Sequence, residues 1–191
     1  LKNIDENYYK IYALGEWGGL IKGKIFQYET FTDEPECKWV AYGLDWGYSN
    51  DPTALVRVGY TSDCLYLTEH IYETGLTNND ISTRLGLYLD KSDEIIADSA
   101  EPKSIEEIFR DHWNIKPARK GKDSIQHGID LMKRYKIKVH RNSVNLQKEF
   151  NQYKWAQNKN GDLLGKPIDL FNHCIDAIRY VCLNKLQHKK K

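Results

Sequence analysis

Apolar positions in the middle of this chain fall into short, nearly unbroken runs. Trp39-Val40-Ala41-Tyr42-Gly43-Leu44 ends on Asp45, and Thr53-Ala54-Leu55-Val56-Arg57-Val58-Gly59-Tyr60 begins eight residues later. Such runs, bounded by turn residues and rich in β-branched and aromatic side chains, read as buried strands. Strands are therefore expected at Val40–Asp45, Thr53–Tyr60 and Leu65–Tyr72, joined by connections short enough for hairpins. The period then changes. Ile81, Leu85 and Leu89 recur at i, i+4 and i+8, which predicts a helix over Thr77–Lys91. Downstream, short strands at Ile95–Asp98, Ile115–Ala118 and Lys138–His140 alternate with helices. The helices lie around Ile105–Trp113 after Pro102, from a Ser124 cap to Tyr135, and over Val144–Tyr153. The second of these is expected to bury Ile125, Ile129 and Met132. Tyr153–Leu164 reads as a hairpin turning at Asn160-Gly161. A last helix runs from Asp169 to about Lys185. Three antiparallel strands followed by alternating helices and strands give an α/β class with a mixed central sheet and flanking helices.

The first 38 residues are broken by glycines and read as a lead-in, with the domain proper at 39–186 and a basic tail at 187–191. Gly18, Gly23 and Lys24 are spaced as in a phosphate-binding loop. Ile25 stands where a Ser or Thr must hold magnesium and no buried strand precedes, so nucleotide binding is rejected. The 191 residues suit one domain, and a start at Leu1 is expected of a piece of a longer protein. With 40% hydrophobic residues the chain can build a core. Its mean hydropathy of -0.68 and the lack of a long apolar stretch argue against a membrane protein. Cys37, Cys64, Cys174 and Cys182 include no C-x-x-C pair, which argues against zinc, and Cys174 and Cys182 read as small core residues. The net charge of +1 conceals a division. Residues 1–101 carry 8 basic and 18 acidic side chains, and residues 102–191 carry 20 and 9. A polyanionic partner for the second half fits this, as does an unevenly charged solvated surface.

Asp45 ends a buried run, Asp98 follows Glu94-Ile95-Ile96-Ala97, and Asp176 lies on the last helix. Carboxylates at strand ends are costly to bury unless paired or bound to metal. Three of them on separate elements are what a divalent-cation site for phosphodiester chemistry needs. His173, three residues before Asp176, reaches toward the same point, and Asp169, His173, Asp176 and Tyr180 share one helical face. A solvated face would show the same spacing. Asp45 and Asp98 also fit turn and capping roles, and Asp51 before Pro52 reads as a turn residue.

These residues resemble a family. Gly43-Leu44-Asp45-Trp46-Gly47-Tyr48 with Asn50-Asp51-Pro52-Thr53-Ala54, then Ala97-Asp98-Ser99-Ala100-Glu101-Pro102, then Asp169 to Tyr180, are similar to three acidic motifs of the large terminase subunits of tailed bacteriophages. Gly15-Glu16-Trp17 through Phe26 resembles the segment joining motor and nuclease in that family. The resemblance implies an RNase H-like nuclease domain, with an N-terminal ATPase, a small terminase subunit and a portal as partners, at work in the host cytoplasm. It implies Asp45, Asp98 and Asp176 as catalytic acids, His173 as an added ligand, and Mg²⁺ or Mn²⁺ in a two-metal site. Glu101 is a candidate fourth carboxylate or a helix start.

For double-stranded DNA the expected contacts are the basic turn Arg119-Lys120-Gly121-Lys122, with Lys103, Lys154 and Lys166 as weaker candidates. Tyr153 and Trp155 offer rings for stacking on bases, or form a packed aromatic pair. Two other readings remain. One is a junction-resolving nuclease of the same fold, which would require branched DNA. The other is a non-catalytic module docking on DNA or the portal, which would ignore Mn²⁺.

Overall fold

The computed structural model describes residues 23–187. Residues 18–22 of the near phosphate-loop, most of the joining segment from Gly15, and residues 188–191 of the tail lie outside the described residues.

Among the described residues, nine strands and five helices follow in order: β1 (Glu29–Phe31), β2 (Trp39–Asp45), β3 (Thr53–Tyr60), β4 (Cys64–Glu73), α1 (Asn78–Leu85), β5 (Ile95–Ala97), α2 (Pro102–Arg110), β6 (Ile115–Pro117), α3 (Ser124–Met132), β7 (Lys136–His140), α4 (Val144–Gln152), β8 (Trp155–Gln157), β9 (Leu163–Pro167) and α5 (His173–Lys185). Seven strands form one sheet in the order β1-β7-β4-β3-β2-β5-β6, and β8 and β9 pair separately. β3 runs antiparallel to both of its neighbours, β2 and β4, as the short connections require. β5 joins β2 in parallel and β6 joins β5 in parallel. The result is the mixed α/β sheet expected from the sequence.

Both faces of the sheet are covered, so its central strands are apolar throughout rather than alternating. Tyr42, Leu44, Leu55, Ile95 and Ala97 meet α1 and α2 through Ile81, Leu85 and Ile108. Ala41, Ala54, Val56 and Ile96 meet α3, α4 and α5 through Ile129, Phe150, Ala177 and Ile178. Because side chains alternate along a strand, Asp45 belongs with Ala41 and Gly43 on the α5 side, and Asp98 belongs there with Ile96.

Local chemistry sets the helix ends. Thr77 and Asp80 form a reciprocal capping box at the start of α1, with the Asp80 amide 3.2 Å from the Thr77 hydroxyl and the Thr77 amide 3.0 Å from the Asp80 carboxylate. The helix stops at Leu85 rather than Lys91, and Leu89 is buried from the following turns. Pro102 opens α2 at a position where its missing N–H is harmless. α3 is entered from Asp123 in the left-handed conformation (φ 59), so Ser124 is not its cap; Ile129 and Met132 are buried but Ile125 is 45% exposed. α5 starts four residues later than Asp169, because Phe171 adopts φ 58 and breaks the helical path. Phe171 thus leaves the core face, while Cys174, Ile175, Ile178 and Cys182 are fully buried on it.

α5 lies on β2 at closest approach where Gly43 faces Ala177. A Cβ on Gly43 would sit 2.0 Å from the Ala177 carbonyl oxygen. Part of the stretch read as a lead-in also packs here: Ile25, Phe26 and Tyr28 are buried, and β1 pairs with β7. Phe26 stacks on Tyr153 at 6.2 Å, which removes Tyr153 from any role in stacking on bases. Trp155 is half-buried under the Lys133 ammonium. Among the described residues no helix is long and apolar enough to cross a membrane.

Candidate active site

Parallel pairing of β2 with β5 aligns Leu44 with Ala97, and the Asp98 amide donates to the Leu44 carbonyl at 2.9 Å. The residues that follow, Asp45 and Asp98, therefore emerge side by side at the carboxyl ends of adjacent strands, on the face that α5 covers. Ligand sites in α/β sheets recur at such strand ends. Tyr180, from α5, reaches between them. Its hydroxyl oxygen is 3.2 Å from Asp45 Oδ1 and 3.0 Å from Asp98 Oδ2. A phenol has one hydrogen to donate, so it serves one carboxylate at a time. His173, two turns earlier on α5, places Nδ1 3.2 Å from Asp45 Oδ2 and Nε2 3.7 Å from Asp51 Oδ1.

Asp176 is held differently. Its Oδ1 accepts from Arg179 Nε at 3.1 Å, with a terminal guanidinium nitrogen also 3.1 Å away as an ion pair, and its Oδ2 is 3.5 Å from the Asn172 side-chain nitrogen. Arg179 is buried, and Gly128 on α3 makes room for it: a Cβ there would lie 2.2 Å from Arg179 Cγ. The fold thus brings Asp45 and Asp98 to the Tyr180 hydroxyl, sets His173 on Asp45, and ties Asp176 to Arg179 on the same helix. Among the described residues, no three His, Cys, Asp or Glu side chains are gathered as closely as a bound ion would hold them.

Electrostatics separates the two strand-end acids. Burial, with the charges of Asp176 and Asp98, pushes Asp45 up to about 6 against the opposing pull of His173. Burial also disfavours ionisation of Asp98, but Lys120, the Ala100 amide and the Tyr180 hydroxyl outweigh it and hold that carboxyl below its ordinary value. The bond to Asp45 raises His173 and outweighs the burial of its ring. Burial among these acids pushes the Tyr180 phenol far up, so it stays a donor.

Of the basic residues expected to meet DNA, Lys120 touches the acids: its ammonium pairs with Asp98 Oδ1 and lies 4.8 Å from the centre of the Tyr180 ring. Lys103, Arg119, Lys122, Lys154 and Lys166 are exposed, the last two near or on the β8–β9 hairpin. Glu101 precedes α2 without capping it and borders an open cleft of about 720 Å³ beside Asp98, with Trp46, Tyr48, Asp51 and Asn78. The Trp46 indole donates to the Asp98 carbonyl at 3.0 Å, fixing one wall of that cleft.

A family model described as "Terminase RNAseH like domain" matches residues 45–183, from Asp45 to just past Tyr180. The chain belongs to the terminase RNase H-like family. It is 32% identical to the large terminase subunit of Bacillus phage SPP1, over 94% of this chain and 46% of that protein. It is 27% identical to the PBSX phage terminase large subunit of Bacillus subtilis (strain 168), over 94% of this chain and 44% of that one. The chain therefore spans about half the length of these two terminase subunits. Among solved structures it is similar to the nuclease domain of g2p, the SPP1 large terminase, determined with bound Mn. That match has a TM-score of 0.71 and 30% identity, covering 81% of this chain and 93% of the other. The resemblance read from the three acidic motifs is thus correct, and so is the RNase H-like fold it implied.

Sequence reasoning placed Tyr180 on the right helical face but gave it no role. The signal was its i+4 spacing from Asp176. Arg179 and Gly128 carried none, since a single Arg or Gly in a helix reads as surface and as mild destabilisation.

Proposed function

We propose that this chain is a metal-dependent endodeoxyribonuclease domain that cuts concatemeric double-stranded DNA, with little sequence preference, for a phage genome-packaging motor. One observation carries the reading: two acids from adjacent strands, Asp45 and Asp98, face a single hydroxyl, with an imidazole on the more buried of them. The donor set fits a hard divalent cation. Carboxylate oxygens are its preferred ligands, and a group such as Asp45, whose burial favours holding a proton, gains most from exchanging that proton for a metal. Asp45, Asp98, Asp176 and His173 would hold Mg²⁺ or Mn²⁺, in a two-ion arrangement. The Mn bound to the SPP1 nuclease domain supports the use of a divalent cation. Cations in such a site neutralise the phosphate and raise the acidity of an attacking water.

The chain's own residues do the rest. His173 orients Asp45. Tyr180, kept protonated, stands between the acids and donates to one of them at a time. Lys120, paired here with Asp98, would offer its ammonium to a phosphate oxygen. Arg119, Lys122, Lys103, Lys154 and Lys166 would contact phosphates farther along the duplex. The stretch before residue 39 would lead from an N-terminal ATPase, with the small terminase subunit and portal as further partners in the host cell.

Incubating the chain with supercoiled plasmid tests the reading. Nicked and linear DNA are expected with Mn²⁺ or Mg²⁺ and none with chelator. Asp98→Ala should be folded and inactive, whereas an Asp98→Ala variant that cuts at the wild-type rate rejects the site. The basic turn has its own test. Replacing Lys120 and Lys122 with Ala should weaken binding equally on unrelated duplexes. It should also lower the slope of log affinity against log salt by about 2, since each phosphate contact contributes ~0.9. A loss confined to one sequence would contradict phosphate contact.

A further inference from the structure

Glu149 is buried, with 1% of its surface exposed, and belongs to neither the acid cluster nor the basic surface. Its two oxygens are both used. Oε1 accepts from the Tyr72 hydroxyl at 3.0 Å and Oε2 accepts from the Ile175 amide at 3.2 Å, with the Cys174 amide adding to the hold. Those amides are the second and third of α5. They are the ones a helix's own N-cap side chain ordinarily serves. Asn172, the N-cap of α5, makes no such bond; its side-chain amide points to Asp176 instead. A side chain from another helix therefore does the capping.

The same device occurs one step earlier. Ser143, the N-cap of α4, makes no capping bond, and its hydroxyl accepts from the Glu69 amide at 2.9 Å. Glu69, on β4, instead accepts from the Leu146 amide at 2.7 Å and the Asn145 side chain at 2.6 Å. Leu146 occupies the third position of α4, as Ile175 does in α5. Two borrowed caps thus run from β4 to α4 and from α4 to α5. Tyr72, also on β4, meets Glu149 through its hydroxyl and sets its ring edge-on to His173, with centroids 6.4 Å apart.

We infer that Glu149 is a positioning residue that fixes the first turn of α5 in the register presenting His173 and Asp176 to Asp45 and Asp98. The inference rests on the proposed nuclease site. Its logic is that His173 and Asp176 are the first and fourth residues of the turn that Glu149 clamps, so any slack in that turn moves both together. Partners one layer behind metal ligands typically change metal affinity or activity by about 10–100-fold when removed.

Mn²⁺ titration calorimetry on the full chain tests this, with Glu149→Ala and Glu149→Gln compared with wild type well below their melting temperatures. The Ala variant should bind Mn²⁺ about 10–100-fold more weakly. The Gln variant, which keeps one oxygen for the Ile175 amide, should fall between the two. If the Ala variant does not fold, the Gln variant decides, with an expected loss of about 3–10-fold. Amide exchange at Cys174 and Ile175, and the His173 ring resonances, are read in parallel without metal. Faster exchange and shifted His173 signals are expected in either variant. Wild-type Mn²⁺ affinity together with unchanged exchange, even with a lower melting temperature, overturns the positioning role. Failure of the wild type itself to bind Mn²⁺ removes the nuclease reading instead, and the exchange and ring signals then decide whether Glu149 positions the turn.

Discussion

Asp45→Asn is expected to abolish cleavage and, in chelator at neutral pH, to make the protein more stable than wild type. Removing one oxygen donor from a site that must neutralise developing charge should lower the rate by roughly three orders of magnitude, the scale seen when one such group is lost. The stability effect has a definite sign. The folded carboxyl is raised from 3.8 to about 6, chiefly by burial. Between those values the native state holds a proton that the unfolded chain has released, so wild-type stability declines as pH rises through that window. Above it the whole cost of burying the charge is present, roughly 3 kcal/mol for a shift of about two units. The bond from His173 is forfeited in the variant and trims the gain. Melting curves of both proteins in chelator should nearly coincide near pH 4 and separate by several degrees, in favour of Asn, by pH 7. A variant less stable than wild type at pH 7 would show that Asp45 carries no such burial cost.

Gly43→Ala is expected to be the most damaging single methyl group that can be added to the sheet. Its Cβ would lie 2.0 Å from the Ala177 oxygen and 2.4 Å from the Ala177 carbonyl carbon. Both are main chain, so no side-chain rotation relieves the clash and α5 must lift from β2. Overpacking in a core typically costs about 1–3 kcal/mol, and a main-chain collision belongs at or beyond the upper end. In a domain of this size that is a fall of roughly 6–12 °C in melting temperature, or loss of soluble protein. Because α5 carries His173, Asp176 and Tyr180, Mn²⁺ binding should suffer in any protein that still folds. Gly121→Ala, where an added Cβ meets nothing within 4 Å, serves as the control and should melt within a degree or two of wild type. Equal melting temperatures for the two variants would mean that α5 does not sit on Gly43 as described.

What the sequence made legible follows from where the information is local. β3 was read to its exact residues, and β2 and β4 to within a residue at each end, because both faces of the sheet are buried and the apolar runs match the strands. Asp45 stood out because a carboxylate ending such a run breaks its own pattern. Helix ends were read less well. Nothing in Asp169-Leu170-Phe171 announces that Phe171 takes a positive φ, so the predicted start of α5 was four residues early. Ile125 fits a helical stripe, yet the left-handed entry at Asp123 rotates it to the surface. Tyr153 looks available to DNA in the sequence because Phe26, which stacks on it, belongs to a stretch that reads as a lead-in rather than as core. Glu149 and Arg179 were invisible for a shared reason: in sequence a buried, paired charge looks the same as a solvated one. Only the partner reveals it, and Arg179 shows this in having Asp176 on one side and a glycine cleared for it on the other.

The position of α5 as the last described helix has a consequence for the order in which the protein becomes competent. Asp45 and Asp98 are translated early, on strands that can pair among themselves. The groups that organise them, from His173 to Tyr180, arrive more than seventy residues after Asp98. α5 is also the element on which the β2 face, α3 and α4 all pack, so the larger of the two cores stays open until it docks. Domains generally fold as units during synthesis. Asp45 and Asp98 are therefore expected to meet His173, Asp176 and Tyr180 only once α5 has been made, so that closing the larger core and gathering this cluster become one event.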